Sequence, residues 1–284
     1  MTNRDRWASF RRNRAAFVAS LVLLGLIVAA IIGPPLLQLY NHCGYATQDF
    51  DNRLHAPTWL HPLGTDTLGR DILVRVLYGF RVSLVVGLVG TLLSVVIGAA
   101  YGAIAGYIGG RLDDIMMRIL DMIYALPILI LIIILFSLFE KSLLLLVIAL
   151  GGISWLSMAR IVRGQVLTLR HEQFIDAARL LEASPAAILW RHILPNTLGP
   201  VIVAATLTIP SVVLGEAFLS YLGLGVQAPL PSLGTLVNDG AQVMALYPPL
   251  LLGPAFMLIV SLVSLNLVGD GLKDALDPQS RKLQ

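Results

Sequence analysis

RIVRGQVLTLRHEQFIDAARLLEASPAAILWRHILPN, residues 160–196, interrupts two long apolar runs, and its reading decides how the chain is built. It carries eight charged residues: Arg160, Arg163, Arg170, Glu172, Asp176, Arg179, Glu182 and Arg191. Phe174, Ala177, Ala178 and Leu181 recur at the three- and four-residue spacing of one helical face. Ser184-Pro185 then restarts a helix, because Ser caps well and Pro at the first helical position gives up only an N–H that had no partner. Pro195-Asn196 marks the end of that second short helix. The pattern predicts a helix-turn-helix displayed between membrane spans, where a partner outside the membrane can grip it.

Outward from this hairpin the chain is overwhelmingly apolar. It has 284 residues, 57% hydrophobic and only 13% charged, with a mean hydropathy of +0.81. An ordinary soluble domain carries about 25% charge. Residues 15–32, 82–110, 122–139, 142–159, 193–215 and 240–269 contain no Asp, Glu, Lys or Arg. A spanning helix needs about 20 mainly apolar residues, so the chain reads as an all-α integral membrane protein of about six spans. No small-residue cleavage site follows the first run, which is therefore read as a span and not a cleaved leader.

The net charge is +3, but its basic residues are spread over loops, which argues against a nucleic-acid surface. Their placement sets orientation. With the N-terminus inside, fifteen of the twenty Lys and Arg fall on inner segments and five, Arg53, Arg70, Arg75, Arg81 and Lys141, on outer ones. The positive-inside rule then puts both termini and the 160–196 hairpin in the cytoplasm. The expected organisation is a basic arm at 1–14, a first span at 15–40 and an outer loop at 41–81. A five-helix core follows at 82–270, with the hairpin and an outer loop at 221–248 inside it, and then a tail at 271–284. The double proline Pro34-Pro35 is expected to kink or end the first span. Residues 64–81 read as an amphipathic helix lying in the outer interface, and Arg111, Asp113, Asp114 and Arg118 as a loop before the third span. Gly98, Gly102 and Gly106 are spaced for close helix approach.

Chemistry-bearing residues are few. His42, Cys43, His55 and His61 with Asp49 and Asp51 have ligand chemistry but no standard metal spacing, so no metal site is expected. Glu216 is the one charged residue assigned to a span interior, a candidate for the substrate path or a gate, or else a residue paired with a neighbouring helix. There is no GxxxxGK[ST] loop, HExxH or GxSxG. The chain is not expected to be an enzyme, and if ATP powers it, the ATPase is another polypeptide.

Asp176-Ala177-Ala178 followed by Ile193-Leu194-Pro195 resembles the EAA loop of bacterial ABC-importer permeases. GTDTLGRDILVRVLYGFRVSL (64–84), GGRLDDIMMRILDMIYALP (109–127), FLSYLGLGVQAPLPSLG (218–234) and GDGLKDALDP (269–278) resemble the oligopeptide/dipeptide/nickel group, most of all its C-type subunit. The resemblance implies a type I importer permease in the bacterial inner membrane. Its partners would be a homologous second permease, two cytoplasmic ATPase subunits carrying ATP and Mg, and an extracytoplasmic binding protein, with lipid around it. No cofactor would sit in this chain. The ATPase-coupling residues would be Asp176, Ala177, Ala178, Leu181, Glu182, Ala183, Ser184, Pro185, Ile188, Leu189, Arg191 and Pro195. Two departures stand out: Asp176 replaces the family Glu, and Glu182 replaces a Gly in the turn, where a left-handed conformation would cost about 1 kcal/mol. The implied cargo is peptides, with nickel complexes, glutathione or another small solute as alternatives. An ion-coupled secondary transporter or a membrane scaffold are the readings from other classes.

Overall fold

The structure is a computed structural model that describes residues 10–276. Arg4, Arg6, Arg281 and Lys282, and with them most of the basic arm and the end of the tail, lie outside the described residues. We number the helices α1 (Arg14–Asn41), α2 (Ile72–Ile108), α3 (Gly110–Ala125), α4 (Ile128–Leu138), α5 (Leu143–Leu169), α6 (Gln173–Leu180), α7 (Pro185–Tyr221), α8 (Leu233–Gln242) and α9 (Pro249–Leu276). Five of them, α1, α2, α5, α7 and α9, are long and apolar enough to cross a membrane. The pair α3–α4, bent by 78°, makes a sixth if it counts as one broken span. The bend falls at Leu126-Pro127, where Pro pushes the preceding residue into the extended region.

α2 is the axis of the molecule. Its 37 residues reach about 55 Å at 1.5 Å per residue, well beyond a hydrocarbon core of about 30 Å. It packs along most of its length against α5 and also against α7. An ideal Cβ on Gly98 would lie 2.8 Å from Trp155 O, and one on Gly106 2.9 Å from Arg163 O, while Gly102 faces the Ala159 carbonyl. Only glycine lets the two backbones come this close. α1 lies at the edge against α9 and α2. Most of its large side chains, Leu21, Leu24, Ile31 and Leu36 among them, face outward, as lipid-facing residues should.

Two local expectations change, and a third is decided between its alternatives: of the two outcomes expected at Pro34-Pro35, the helix does not end there, and α1 runs on to Asn41, close to the 15–40 span, with His42 at φ 56° as its left-handed cap. In lipid an unpaired backbone costs several kcal/mol, so helix continues through a proline wherever it can. The interfacial helix expected before the second span does not exist as a separate element. Asp71 caps α2 by accepting from Val74 N at 2.9 Å, and Ile72, Val74, Val76 and Phe80 are buried in its first turns. Their polar neighbours Arg70 and Arg75 face Asp66, not water. Finally, Arg111, Asp113, Asp114 and Arg118 are helical, on α3.

Candidate functional site

The hairpin is built from α6, a tight turn and the first turns of α7. α6 ends in a Schellman motif: Ala183 N donates to Ala178 O at 3.1 Å and Glu182 N to Arg179 O at 2.9 Å. That geometry places Glu182 at φ 58°, the left-handed position that normally belongs to glycine. The strain anticipated from the sequence is therefore present. Ser184 then caps α7 by accepting from Ala187 N at 3.2 Å, with Pro185 in the first turn.

Pro195 does not end this helix, contrary to its reading in the sequence. Residues Ile188–Ile193 form a π turn, with Leu194 N donating to Leu189 O, and the helix passes through Pro195 to Tyr221. The wider turn removes the need for an N–H at Pro195 and relieves its clash with the preceding turn. Asn196 Nδ2 also donates to His192 O at 2.6 Å. The second helix of the hairpin is thus continuous with a span.

The apolar face is also divided differently. Ile175, which sequence periodicity passed over, is fully buried, and Ala178, Ile188 and Ile193 join it. They pack on Ala103, Met158, Val162, Val166 and Val201 of α2, α5 and α7. Phe174, Ala177 and Leu181 instead face outward. Leu180 is 85% exposed, Leu181 83% and Trp190 68%. Of the other residues singled out in the sequence, Asp176, Ser184, Pro185, Arg191 and Pro195 are exposed and Ala183 and Leu189 half-buried. Asp176 accepts from Arg179 Nη1 at 3.0 Å along the same helix. An inner stripe bolts the hairpin to the bundle, and an outer apolar edge stays exposed.

The half of α5 that leads into the hairpin is tied to its neighbours by charged side chains. Arg163 on α5 grips Asp113 of α3 with two bonds, Nε to Oδ1 at 2.5 Å and Nη2 to Oδ2 at 2.6 Å. Arg160 donates to Asp121 of α3 at 2.6 Å. Arg170, at the end of α5, donates to Gly106 O of α2 at 3.1 Å.

Glu216 sits near the opposite end of α7 and is fully buried. It neither lies on an open wall nor reaches the surface. Ser83 Oγ of α2 donates to Oε2 at 2.6 Å, and Ser220 Oγ to Oε1 at 2.6 Å. Ser83 Oγ in turn accepts from Leu233 N at 3.2 Å. α8 is fixed there by a capping box, with Thr235 N donating to Ser232 Oγ at 3.2 Å and Ser232 N to Thr235 Oγ1 at 2.8 Å. One carboxylate ties α2, α7 and α8 together. Ser220 at i+4 could have been found in the sequence, but Ser83, 133 residues away, could not.

The histidines and Cys43 do not assemble. His61 Nδ1 is 2.8 Å from Asp71 Oδ2, which also accepts from Asn41 Nδ2 at 3.2 Å. Burial, then Asp71 and Asp49, push the Cys43 thiol up, the wrong direction for a thiolate ligand. Among the described residues no three metal-ligating side chains converge.

Comparison with known proteins accounts for this architecture. Residues 98–282 match the family described as the inner membrane component of binding-protein-dependent transport systems. Residues 3–57 match the N-terminal transmembrane domain of oligopeptide transport permease C. The oligopeptide transport system permease protein OppC of Escherichia coli K12 is 50% identical over 98% of this chain and 93% of its own length. OppC of Bacillus subtilis is 42% identical over 98% and 90%, and the B. subtilis dipeptide transport system permease protein DppC is 41% identical over 98% and 86%. With a bundle of apolar spans, a bolted hairpin and this likeness along almost its whole length, the chain belongs to the inner-membrane permeases of binding-protein-dependent transport systems, in the oligopeptide permease C group.

Proposed function

We propose that this chain is one half of the translocation pathway of an ATP-driven importer of di- and oligopeptides, and that the 176–195 hairpin couples it to a separate ATPase. The single observation that carries the reading is the bare apolar edge of Leu180, Leu181 and Trp190 on a hairpin held rigidly through Ile175, Ala178 and Ile188. The excess of Lys and Arg on the hairpin side makes that side, and both termini, cytoplasmic. Two ATPase subunits holding ATP and Mg lie beneath, a homologous second permease beside, and an extracytoplasmic binding protein delivers cargo from the other side.

ATP changes the permease only through its differential affinity for two states of the ATPase pair. The hairpin transmits that difference. As the ATPases close, the outer edge moves with them, and α5 carries α3 along through the Arg163–Asp113 and Arg160–Asp121 pairs. Far from the hairpin, the Glu216 junction keeps α2, α7 and α8 as one body, so the movement is of packed helices sliding, not of one helix unwinding. Catalysis of ATP hydrolysis belongs to the partners.

The test is gentle purification of the tagged chain from its native membranes, with mass spectrometry of what accompanies it. A second permease and Walker-A ATPases are expected, and deleting residues 180–191 should release the ATPases while the second permease stays. A chain that purifies alone from cells expressing its neighbours would overturn the reading.

A further inference from the structure

At the end of the bundle away from the hairpin, the chain between α1 and α2 carries a small apolar tip. Residues 54–65 contain no Asp, Glu, Lys or Arg, and Pro57 and Pro62 bracket Thr58-Trp59-Leu60-His61. Thr58 N donates to His61 O at 2.9 Å and His61 N to Thr58 Oγ1 at 3.1 Å, which pinches off the two residues between them. Trp59 is 96% exposed, and Leu60 is exposed beside it. The base of the tip is tied down. Asn41 Nδ2, on the last residue of α1, donates to Leu60 O at 3.3 Å and to Asp71 Oδ2 at 3.2 Å, and His61 Nδ1 meets the same Asp71 oxygen. Tyr247 Oη, two residues before α9 begins, donates to His55 O at 2.8 Å. The fold itself thus orders the tip, and a partner that takes up the Trp59 ring has little ordering left to bear.

The same bonds fix the height of the tip. α1 has 28 residues and is about 42 Å long at 1.5 Å per residue. A bilayer with its headgroups measures about 40–45 Å. Arg14 opens the helix exposed, and an exposed arginine belongs at the headgroups and not in hydrocarbon. Asn41, at the other end, then stands in the opposite headgroup layer, and so does the tip bonded to it. Leu39 and Tyr40 are exposed there and carry the lipid-facing side of α1 up to that level. Tryptophan and tyrosine collect at this boundary because an apolar ring with one N–H or O–H suits oil on one side and water on the other. We propose that Trp59 and Leu60 form a membrane anchor, with the tip dipping into the headgroup layer of the leaflet away from the hairpin and the indole resting on the upper acyl chains. No charge on the tip opposes entry. Because Asp71 also caps α2, the anchor holds that end of the central helix at the bilayer surface, while its far end lies beside the hairpin.

The test uses the chain purified with its partner subunits and placed in phosphatidylcholine nanodiscs. The emission of wild type minus that of Trp59→Phe isolates the indole at residue 59, and subunit composition and melting temperature check that the exposed substitution leaves the complex intact. Phosphatidylcholine brominated near the headgroup end of its acyl chains should remove most of this difference emission. Bromine near the chain ends should remove less, and aqueous iodide should leave it nearly unchanged. Quenching by iodide but by neither brominated lipid would overturn the proposal, because the tip would then stand in water. Quenching by none of the three would overturn it as well, since a protein surface, that of the second permease, would then cover the ring. Stronger quenching from the chain ends than from the headgroup end would refute the height worked out from α1. If iodide quenches and excess binding protein abolishes that quenching, the tip is a docking point for the binding protein and the lipid assignment falls.

Discussion

Glu182 offers the sharpest single perturbation, because its backbone is strained in a way that one substitution relieves. At φ 58° a non-glycine residue costs about 1–2 kcal/mol relative to a right-handed conformation. Glycine removes that cost but adds back-chain freedom to the open turn, worth about 0.5–1 kcal/mol in the other direction. Glu182→Gly should therefore stabilise the closed hairpin by up to about 1.5 kcal/mol, or about tenfold in the opening equilibrium. The amides of Glu182 and Ala183, which close the Schellman turn at 2.9 and 3.1 Å, report that equilibrium directly. Hydrogen exchange measured by mass spectrometry on the complex in nanodiscs should slow across residues 178–185 by that factor, with subunit composition and uptake unchanged. Glu182→Val, which places a β-branched residue in the same conformation, should do the reverse. Faster exchange in the glycine variant would refute the strain argument. Loss of the ATPase with slower exchange would show instead that the Glu182 carboxylate contacts a partner.

Three further expectations follow from the packing. Glu216→Ala leaves the buried hydroxyls of Ser83 and Ser220 without their acceptor, at about 1–3 kcal/mol each; a lowered melting temperature in detergent checks it, and Glu216→Gln, which keeps an acceptor, should lose less. Asp113→Ala breaks the paired grip on Arg163 and should cost about 1–3 kcal/mol, with Arg163 a third exposed placing it toward the low end; uptake should fall further than stability, since one of the two α5–α3 pairs is cut, and unchanged uptake would show that this pair does not carry the movement. Burial holds the Asp239 carboxyl above its ordinary value, against the pull of Arg75 and Arg70 and aided by Asp66. A carboxyl raised in the folded state stabilises at low pH, and that contribution is lost as pH rises through its folded value; the melting temperature of wild type minus that of Asp239→Asn should therefore shrink between acid and neutral pH.

Membrane class, number of apolar runs and the position of the hairpin were all legible in the chain, because each is a property of a continuous stretch. Uncharged length answers whether a helix can cross lipid, and the chemistry of Ser184-Pro185 marks a helix start wherever it stands. A left-handed residue at 182 was anticipated only through the family resemblance, whose pattern has Gly there, and the bonds that close the turn decided it. Periodicity could not say which apolar stripe of α6 is buried. Phe174, Ala177 and Leu181 share one spacing and Ile175 and Ala178 another, and only the presence of Val162 and Val166 beneath decides for the second pair. Nor could sequence place Glu216 against Ser83, or Arg75 between Asp66 and Asp239, for those partners meet only once α2, α7 and α8 are packed. Pro195 was misread for the same reason: proline ends a helix that stands alone, but a π turn absorbs it where the helix continues into a packed span. Local spacing determined what could be a helix and which segments could leave the membrane; tertiary packing decided which faces remain bare for a partner and which buried charges find each other, because those energies belong to pairs of distant residues and not to any one stretch.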